Sequence, residues 1–217
     1  MIIEKLIYLK QLLVQQANLV EKMINKSMKG LSESNIKLLE EIITTDEKKV
    51  NRFELQITEL CTNIIALYHP EAKDLRFVLM CMSMTTDLER IGDCIVNVAE
   101  SSIFLVERPP IKPYETIYQI FAVTISMVKD SINSFINESP ELAKSVCERD
   151  SIVDDLRDQN TKTLIEYMFN DSSSIERGLN MIRIANNLEK TADISTSIAE
   201  ETVYIAMGQV IKHKSDI

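Results

Sequence analysis

The chain has 217 residues, of which 45% are apolar, with only four glycines, five prolines and no tryptophan. This composition can build a substantial core and favours helix throughout, so we expect an all-α protein without a sheet. Its 33 acidic residues outnumber 24 basic ones, giving a formal charge of −9. That balance argues against nucleic-acid binding and makes cations better candidate ligands than phosphates.

Cysteine usage and the N-terminus indicate where the chain works. The cysteines occur singly, without CxxC spacing, which favours a reducing compartment and core positions for Cys61, Cys81, Cys94 and Cys147. The N-terminal stretch MIIEKLIYLKQLLVQQ is interrupted by charges and lacks a small-residue cleavage site, so it is not typical of a signal peptide. The longest apolar-rich run, from Ile117 to Val128, is too short to span a bilayer. We expect a cytoplasmic protein without membrane insertion.

The first half of the chain reads as three helices. Apolar residues with helical spacing predict a first helix that ends at Gly30, where glycine can take a left-handed turn. Ser32 or Ser34 can cap a second helix, which should stop before Pro70. The third helix should then continue to about Phe104.

The second half repeats this organisation. Three prolines between residues 109 and 113 exclude a helix there, and a fourth helix fits residues 114–136. Ser139, followed by proline, should open a fifth helix that runs to about Phe169. The sixth helix is expected from about residue 174 to Met207-Gly208.

A sequence repeat links the two halves. LERIGDCIVNVAE at residues 88–100 and LEKTADISTSIAE at 188–200 share leucine, glutamate, aspartate and alanine at matching places. Both lie in the third helix of their half, which indicates a duplication. Long helices with short connections predict two tandem antiparallel three-helix bundles, residues 1–108 and 113–217.

The repeated motif carries an acidic ridge. At about 100° per residue, Asp93 lies roughly 40° from Glu89 on the third helix, whereas Leu88 and Ile91 lie on the opposite side. The carboxylates therefore should face away from the core. Glu189 and its neighbours repeat the arrangement in the second half.

The preceding helix of each half supplies a second ridge. TTDEKKVNRFE places Glu47, Asn51 and Glu54 on one stripe, and DSIVDD places Asp150 and Asp154 four residues apart. Counted from the turn between the helices, each ridge should lie level with the ridge on its neighbour. Like charges arranged in this way repel, so a positive partner is expected.

Two kinds of partner are compatible with these ridges. Basic side chains interleaved with the motifs would give surface salt-bridge networks; they are Lys48, Lys49, Arg52, Arg90, Arg157 and Lys190. Alternatively, oxygen donors without histidine or cysteine suit Mg²⁺, Mn²⁺, Ca²⁺ or iron, and bridging carboxylates could hold more than one ion. The spacing alone leaves both open.

The motif blocks resemble those of the PhoU family, the accessory proteins of bacterial phosphate-specific transport. HPEAKDLRFVL followed by LERIGDCIVNVAE resembles the first block, and IERGLNMIRIANNLEKTADISTSIAEETVYIAMG resembles the second. TTDEKKVNRFE and ERDSIVDDL resemble the family segments that precede them. The resemblance covers nearly the whole chain, in order and at the family's spacing.

The resemblance implies a regulator rather than an enzyme. Its members restrain phosphate uptake and the starvation response by linking a phosphate ABC transporter to a sensor histidine kinase, and they hold multinuclear metal clusters, iron or zinc among them. Carried over, the metal ligands would be Glu47, Asn51, Glu89, Asp93, Asp150, Asp154, Glu189 and Asp193. A homodimer is compatible with this organisation. The sequence departs from the family pattern at Asn51, Cys94, Ile194 and Ser197, where Asp, His, His and Asn are usual.

An all-helical, magnesium-dependent nucleotide hydrolase is the alternative function. It would need the carboxylates to converge in a pocket with a phosphate-binding lysine or arginine, which the outward angles oppose. Di-iron oxygen chemistry would require Glu-x-x-His pairs, and the two histidines, His69 and His213, lie outside the motifs.

Overall fold

Helices make up nearly all of the structure, a computed structural model that describes residues 2–111 and 115–207, with side chains described as far as residue 203. The helices are α1 (Ile2–Ser32), α2 (Ile36–Glu41), α3 (Glu47–Tyr68), α4 (Ala72–Val106), α5 (Glu115–Ile136), α6 (Pro140–Asn170) and α7 (Ile175–Met207). A π turn, Ile42–Asp46, joins α2 and α3 into one rod. These described residues form six rods and contain no strand, which confirms the all-α prediction of two three-helix bundles.

The first turn departs from the sequence prediction. α1 runs through Gly30 to Ser32, and the left-handed residue is Ser34, with φ of 54°. The second rod is capped by Asn35, whose side chain accepts a hydrogen bond from the Leu38 amide. Neither of the predicted serines is the cap. The predicted glycine turn and serine cap are therefore wrong by a few residues.

The other predicted boundaries hold more closely. His69 is the left-handed C-cap of α3, with φ of 46°, and the next helix begins at Ala72, so Pro70 precedes that helix. Ser139 caps α6 and Pro140 occupies its first turn, as predicted. The predicted end of the sixth helix at Gly208 lies outside the described residues.

A single hydrophobic core runs through both bundles. The motif helices α4 and α7 pack along each other, so the repeated motifs lie on the two helices that join the bundles. All four cysteines are free and buried, as predicted, and burial raises the pKa of Cys61 to about 12. Within the described residues, no helix is long and apolar enough to cross a membrane.

Equivalent residues in the two bundles can be matched through their turns. Ser34 and Glu138 both have positive φ, and the caps that follow, Asn35 and Ser139, each accept a hydrogen bond from the amide three residues later. Up to the π turn, residues of the first bundle match residues 104 positions later; along α3 the interval is 103, as for Val50 and Val153, which are both buried, and in the motif helices it is 100. The π turn therefore accommodates one extra residue in the second rod of the first bundle.

An ion pair between the first two rods is kept in both bundles with its charges exchanged. In the first bundle, Lys26 on α1 lies 2.5 Å from the buried carboxylate of Asp46. In the second bundle the equivalent positions hold Asp130 and Arg149, whose Nη2 donates to the aspartate at 2.7 Å. The pairing is therefore retained while each partner has changed sign.

The two bundles also exchange large and small side chains between the same two rods. A Cβ atom on Gly30 would lie 2.5 Å from Cδ2 of Leu39, which is fully buried. The equivalent residues of the second bundle are Ser134 and Ala143, so a larger residue on one rod is matched by a smaller one on the other. Gly30 is therefore required by the leucine opposite it, rather than by a turn.

We predict that Gly30→Ala destabilises the protein by up to about 2 kcal/mol, because overpacking costs about 1–3 kcal/mol and better helix propensity returns about 1 kcal/mol. Leu39→Ala alone should cost about 2–5 kcal/mol through its cavity. Urea unfolding of both single variants and the double variant should show the double variant at least about 1 kcal/mol more stable than the summed effects.

Gly92→Ala is the matched control, because a Cβ there would approach Val50 only to 3.3 Å and the equivalent residue of the other bundle is Ala192. It should change stability little. Additive effects of the Gly30 and Leu39 substitutions would contradict the steric coupling.

Candidate metal-binding clusters

The first acidic cluster lies where α3 and α4 approach each other closely. Gly92 on α4 faces the buried Val50 on α3, and a Cβ on this glycine would lie 3.3 Å from the valine Cγ1. The close contact brings the two predicted ridges together. We call these side chains the first cluster: Glu47, Asn51 and Glu54 of α3 with Glu89 and Asp93 of α4.

The carboxylates of the first cluster influence one another electrostatically. The pKa of Glu89 is raised, first by burial and then by the negative charges of Asp93, Glu54 and Glu47, while Arg90 opposes the shift. Carboxylates of both helices therefore act on Glu89, as the predicted side-by-side ridges require. Glu54, which was outside the predicted ligand set, belongs to the group.

Asp93 connects the first cluster with the second bundle. Burial and then Glu47 raise the pKa of Asp93, and Lys190 on α7 opposes the shift. Elsewhere in the cluster, Asn51 donates to Glu47 Oε1 at 2.7 Å and thereby orients it.

The predicted basic partners do not pair with the first cluster. Arg90 lies 2.8 Å from Asp87, and Lys49 lies 3.5 Å from Asp46, so both contact other carboxylates. Across the part of the chain that the structure describes, no basic group comes within the 4.0 Å ion-pair distance of the four cluster carboxylates. For these carboxylates the salt-bridge network expected as one alternative does not form.

The second cluster has a different composition. It consists of Asp150, Asp154 and Arg157 of α6 with Glu189 and Asp193 of α7. Arg157 Nη1 lies 3.2 Å from Glu189 Oε1, and Nη2 lies 3.6 Å from Asp154 Oδ1. Here a basic side chain holds the two ridges together, as the salt-bridge alternative expects.

Burial differs along the second cluster. Asp150 is only 8% exposed, so the acidic stripe does not face wholly outward here. The pKa of Glu189 is raised by burial and then by Asp193, but Arg157 offsets part of the shift. Arg157 therefore offsets part of the negative charge around Glu189.

The donor chemistry of the first cluster fits a hard cation. Four carboxylates and one amide provide only oxygen donors, and their mutual repulsion favours any cation placed between them. Among residues 2–111 and 115–203, no group of three aspartate, glutamate, histidine or cysteine side chains is arranged to hold one ion. In the second cluster, Arg157 already supplies positive charge between two of the predicted ligands.

Fold and site together define a class: tandem, duplicated three-helix bundles with a carboxylate cluster on each bundle. A family model described as the PhoU domain matches residues 13–102 and again residues 117–202, once in each half. The chain belongs to the PhoU family.

Relatives match the chain over most of their length. The phosphate-specific transport system accessory protein PhoU homolog of Aquifex aeolicus is 36% identical, over 94% of this chain and 92% of the relative. PhoU homolog 2 of Thermotoga maritima is 33% identical, over 89% and 82%. These names describe accessory proteins of phosphate transport systems rather than enzymes.

Solved structures share the fold. The crystal structure of PhoU from Pseudomonas aeruginosa aligns with a TM-score of 0.93 at 30% identity, covering 96% of this chain and all of that one. The phosphate transport system regulatory protein PhoU from Streptococcus pneumoniae aligns with a TM-score of 0.90 at 27% identity, over 98% and 100%.

We predict that Glu89→Gln with Asp93→Asn raises the melting temperature in EDTA at pH 7 by about 1–3 °C, because removing like-charge pairs is worth about 0.2–0.5 kcal/mol each. Both folded-state pKa values are raised, so the repulsion is fully present above them and is lost as pH falls toward the unfolded-state values. Melting curves should be recorded between about pH 4, near the ordinary carboxyl pKa values, and about pH 7. The gain in melting temperature of the double variant should disappear at the acidic end.

Glu59→Gln with Glu166→Gln is the control, because both side chains are exposed and lie outside the clusters. It should leave the melting temperature nearly unchanged across this range. A gain that is independent of pH would contradict the electrostatic explanation.

Proposed function

We propose that this chain regulates phosphate uptake and the phosphate-starvation response by docking on a phosphate ABC transporter, a sensor histidine kinase or both. The observation that carries the proposal is the match to PhoU in both halves, with accessory-protein relatives aligned over nearly their full length. The two bundles offer long helix faces for such partners. This role is a regulatory one without catalysis.

The proposal includes metal binding at the acidic clusters. The first cluster supports it, since Glu47, Glu89 and Asp93 provide carboxylate oxygens and Asn51 an amide oxygen. Mg²⁺ and Mn²⁺ suit these donors, and iron or zinc, as the resemblance implies, can also be bound by carboxylates. When bound, the ion would supply positive charge between α3 and α4.

Cation binding would change the surface offered to a partner. Neutralising the first cluster removes repulsion between α3 and α4 and lowers the negative charge on that side of the bundle. A docking partner would then meet a different potential without any rearrangement of the helices. The cluster is thus suited to cation-dependent docking.

Metal analysis tests the site. Protein purified without chelators should contain bound metal, and Glu89→Ala with Asp93→Ala should remove most of the metal held by the first cluster, because two of its proposed ligands are gone. Elemental analysis of both proteins, beside the Glu59→Gln, Glu166→Gln control, gives the measurement. Equal metal content in all three would remove the site while leaving the fold unaffected.

Phosphate physiology tests the regulatory role. In the native host, deleting the gene should raise phosphate uptake and a starvation-promoter reporter several-fold in phosphate-rich medium, and the intact gene should restore both. The Glu89→Ala, Asp93→Ala variant should restore them only in part if cation-dependent docking is required. Unchanged uptake and reporter activity after deletion would count against the role.

The hydrolase alternative is tested by nucleoside triphosphate turnover with Mg²⁺. A hydrolase needs a basic side chain near the metal to hold the substrate phosphates. The described carboxylates of the first cluster have no such group within ion-pair distance. Turnover that depends on Glu89 would revive the alternative.

A further inference from the structure

The two clusters differ in side-chain charge at two equivalent positions: Asn51 matches Asp154, and Glu54 matches Arg157. Val50 and Val153 are buried at matching places in α3 and α6, and the same interval matches Glu47 with Asp150. Continuing one turn, it places Arg157 where the first bundle has Glu54. A carboxylate in one cluster is therefore replaced by a guanidinium in the other.

Arg157 contacts carboxylates of both ridges of the second cluster. Its Nη1 contacts Glu189 on α7 at 3.2 Å, while Nη2 approaches Asp154 on its own helix at 3.6 Å. Its side chain is 29% exposed, so the charge is partly shielded from solvent. Arginine stays protonated at all working pH values, so this positive charge is permanent.

The charge balance of the clusters differs accordingly. The first cluster has four carboxylates and an amide, whereas the second has four carboxylates and the Arg157 guanidinium. In the first, the described carboxylates have no ion pair within 4.0 Å. A divalent ion entering the second cluster would have to displace Arg157 from Glu189 or share the carboxylates with it.

We propose that Arg157 serves as the built-in cation of the second cluster, so that this cluster is assembled without metal and cation loading is confined to the first. The inference rests on the proposed metal binding at the first cluster. It makes the duplicated halves functionally unequal: one face responds to cation supply, and the other is constant.

Residue exchange tests this asymmetry with Mn²⁺ as the probe. In full-length, chelator-stripped protein, binding followed by electron paramagnetic resonance should be lost in Glu89→Gln, Asp93→Asn and retained in Glu189→Gln, Asp193→Asn. Loss of the wild-type binding in the second variant would overturn the proposal.

The decisive variant is Arg157→Glu, made in the Glu89→Gln, Asp93→Asn background, where the first cluster is silenced. It installs the residue of the first bundle and should bind Mn²⁺ at least about tenfold more tightly than its parent, a change that Glu189→Gln, Asp193→Asn should abolish. Unchanged affinity would overturn the proposal.

Arg157→Gln guards against a folding defect, because it removes the charge without adding repulsion. In the same background it should melt at a lower temperature than its parent in EDTA and recover part of the loss with Mn²⁺, while Arg157→Lys should show no Mn²⁺ response. Absence of Mn²⁺ binding by the wild-type protein would contradict only the proposed metal function, since the Arg157 variants still report on the second cluster.

Discussion

The packing of α4 on α3 around Val50 is the constraint on which the first acidic cluster depends. Gly92 of α4 lies against the buried Val50 of α3, with the place of a Cβ 3.3 Å from the valine Cγ1. Burial of apolar surface drives this approach, and it carries Glu89 and Glu47 toward each other on the rim of the same interface. Packing and charge are therefore opposed at one place. The carboxylates are held together by a core that gains more from closing than their repulsion costs.

The two bundles of the duplicated fold differ in how their charges are paired. Lys26 and Asp46 became Asp130 and Arg149, so an ion pair persisted while both signs changed. At the ridges, by contrast, the sign of the charge is reversed at one position only, from Glu54 to Arg157, and Arg157 pairs with a carboxylate whose equivalent in the first bundle has no such pair. A pair that exchanges both signs preserves structure. A single change alters the charge balance and therefore what the surface can bind.

The spacing of apolar residues, together with the helix-breaking and capping residues, was sufficient to predict the six rods and the two ridges of each bundle, because a buried apolar stripe fixes which way a helix faces. They were not sufficient for local choices between near-equivalent groups. Asn35 rather than a serine caps the second rod, and the π turn shifts register by one residue without changing the apolar pattern. The ion-pair partners of long basic side chains were hardest to predict, since a helical wheel gives the direction of a side chain but not which carboxylate it contacts. Lys49 and Arg90 form ion pairs with aspartates outside the first cluster. The spacing of the carboxylates alone could not decide whether their positive partner is a metal ion or a basic side chain.

The packing of α4 along α7 brings the first cluster within electrostatic influence of the second bundle. Lys190 lies on α7 yet opposes the rise in the pKa of Asp93 on α4, so this carboxylate is influenced from both bundles. A cation on the first cluster would act on the same carboxylate as Lys190 and would weaken that attraction across the interface. Coupling between the halves would then need no helix movement, because it follows from two positive charges sharing one acidic group.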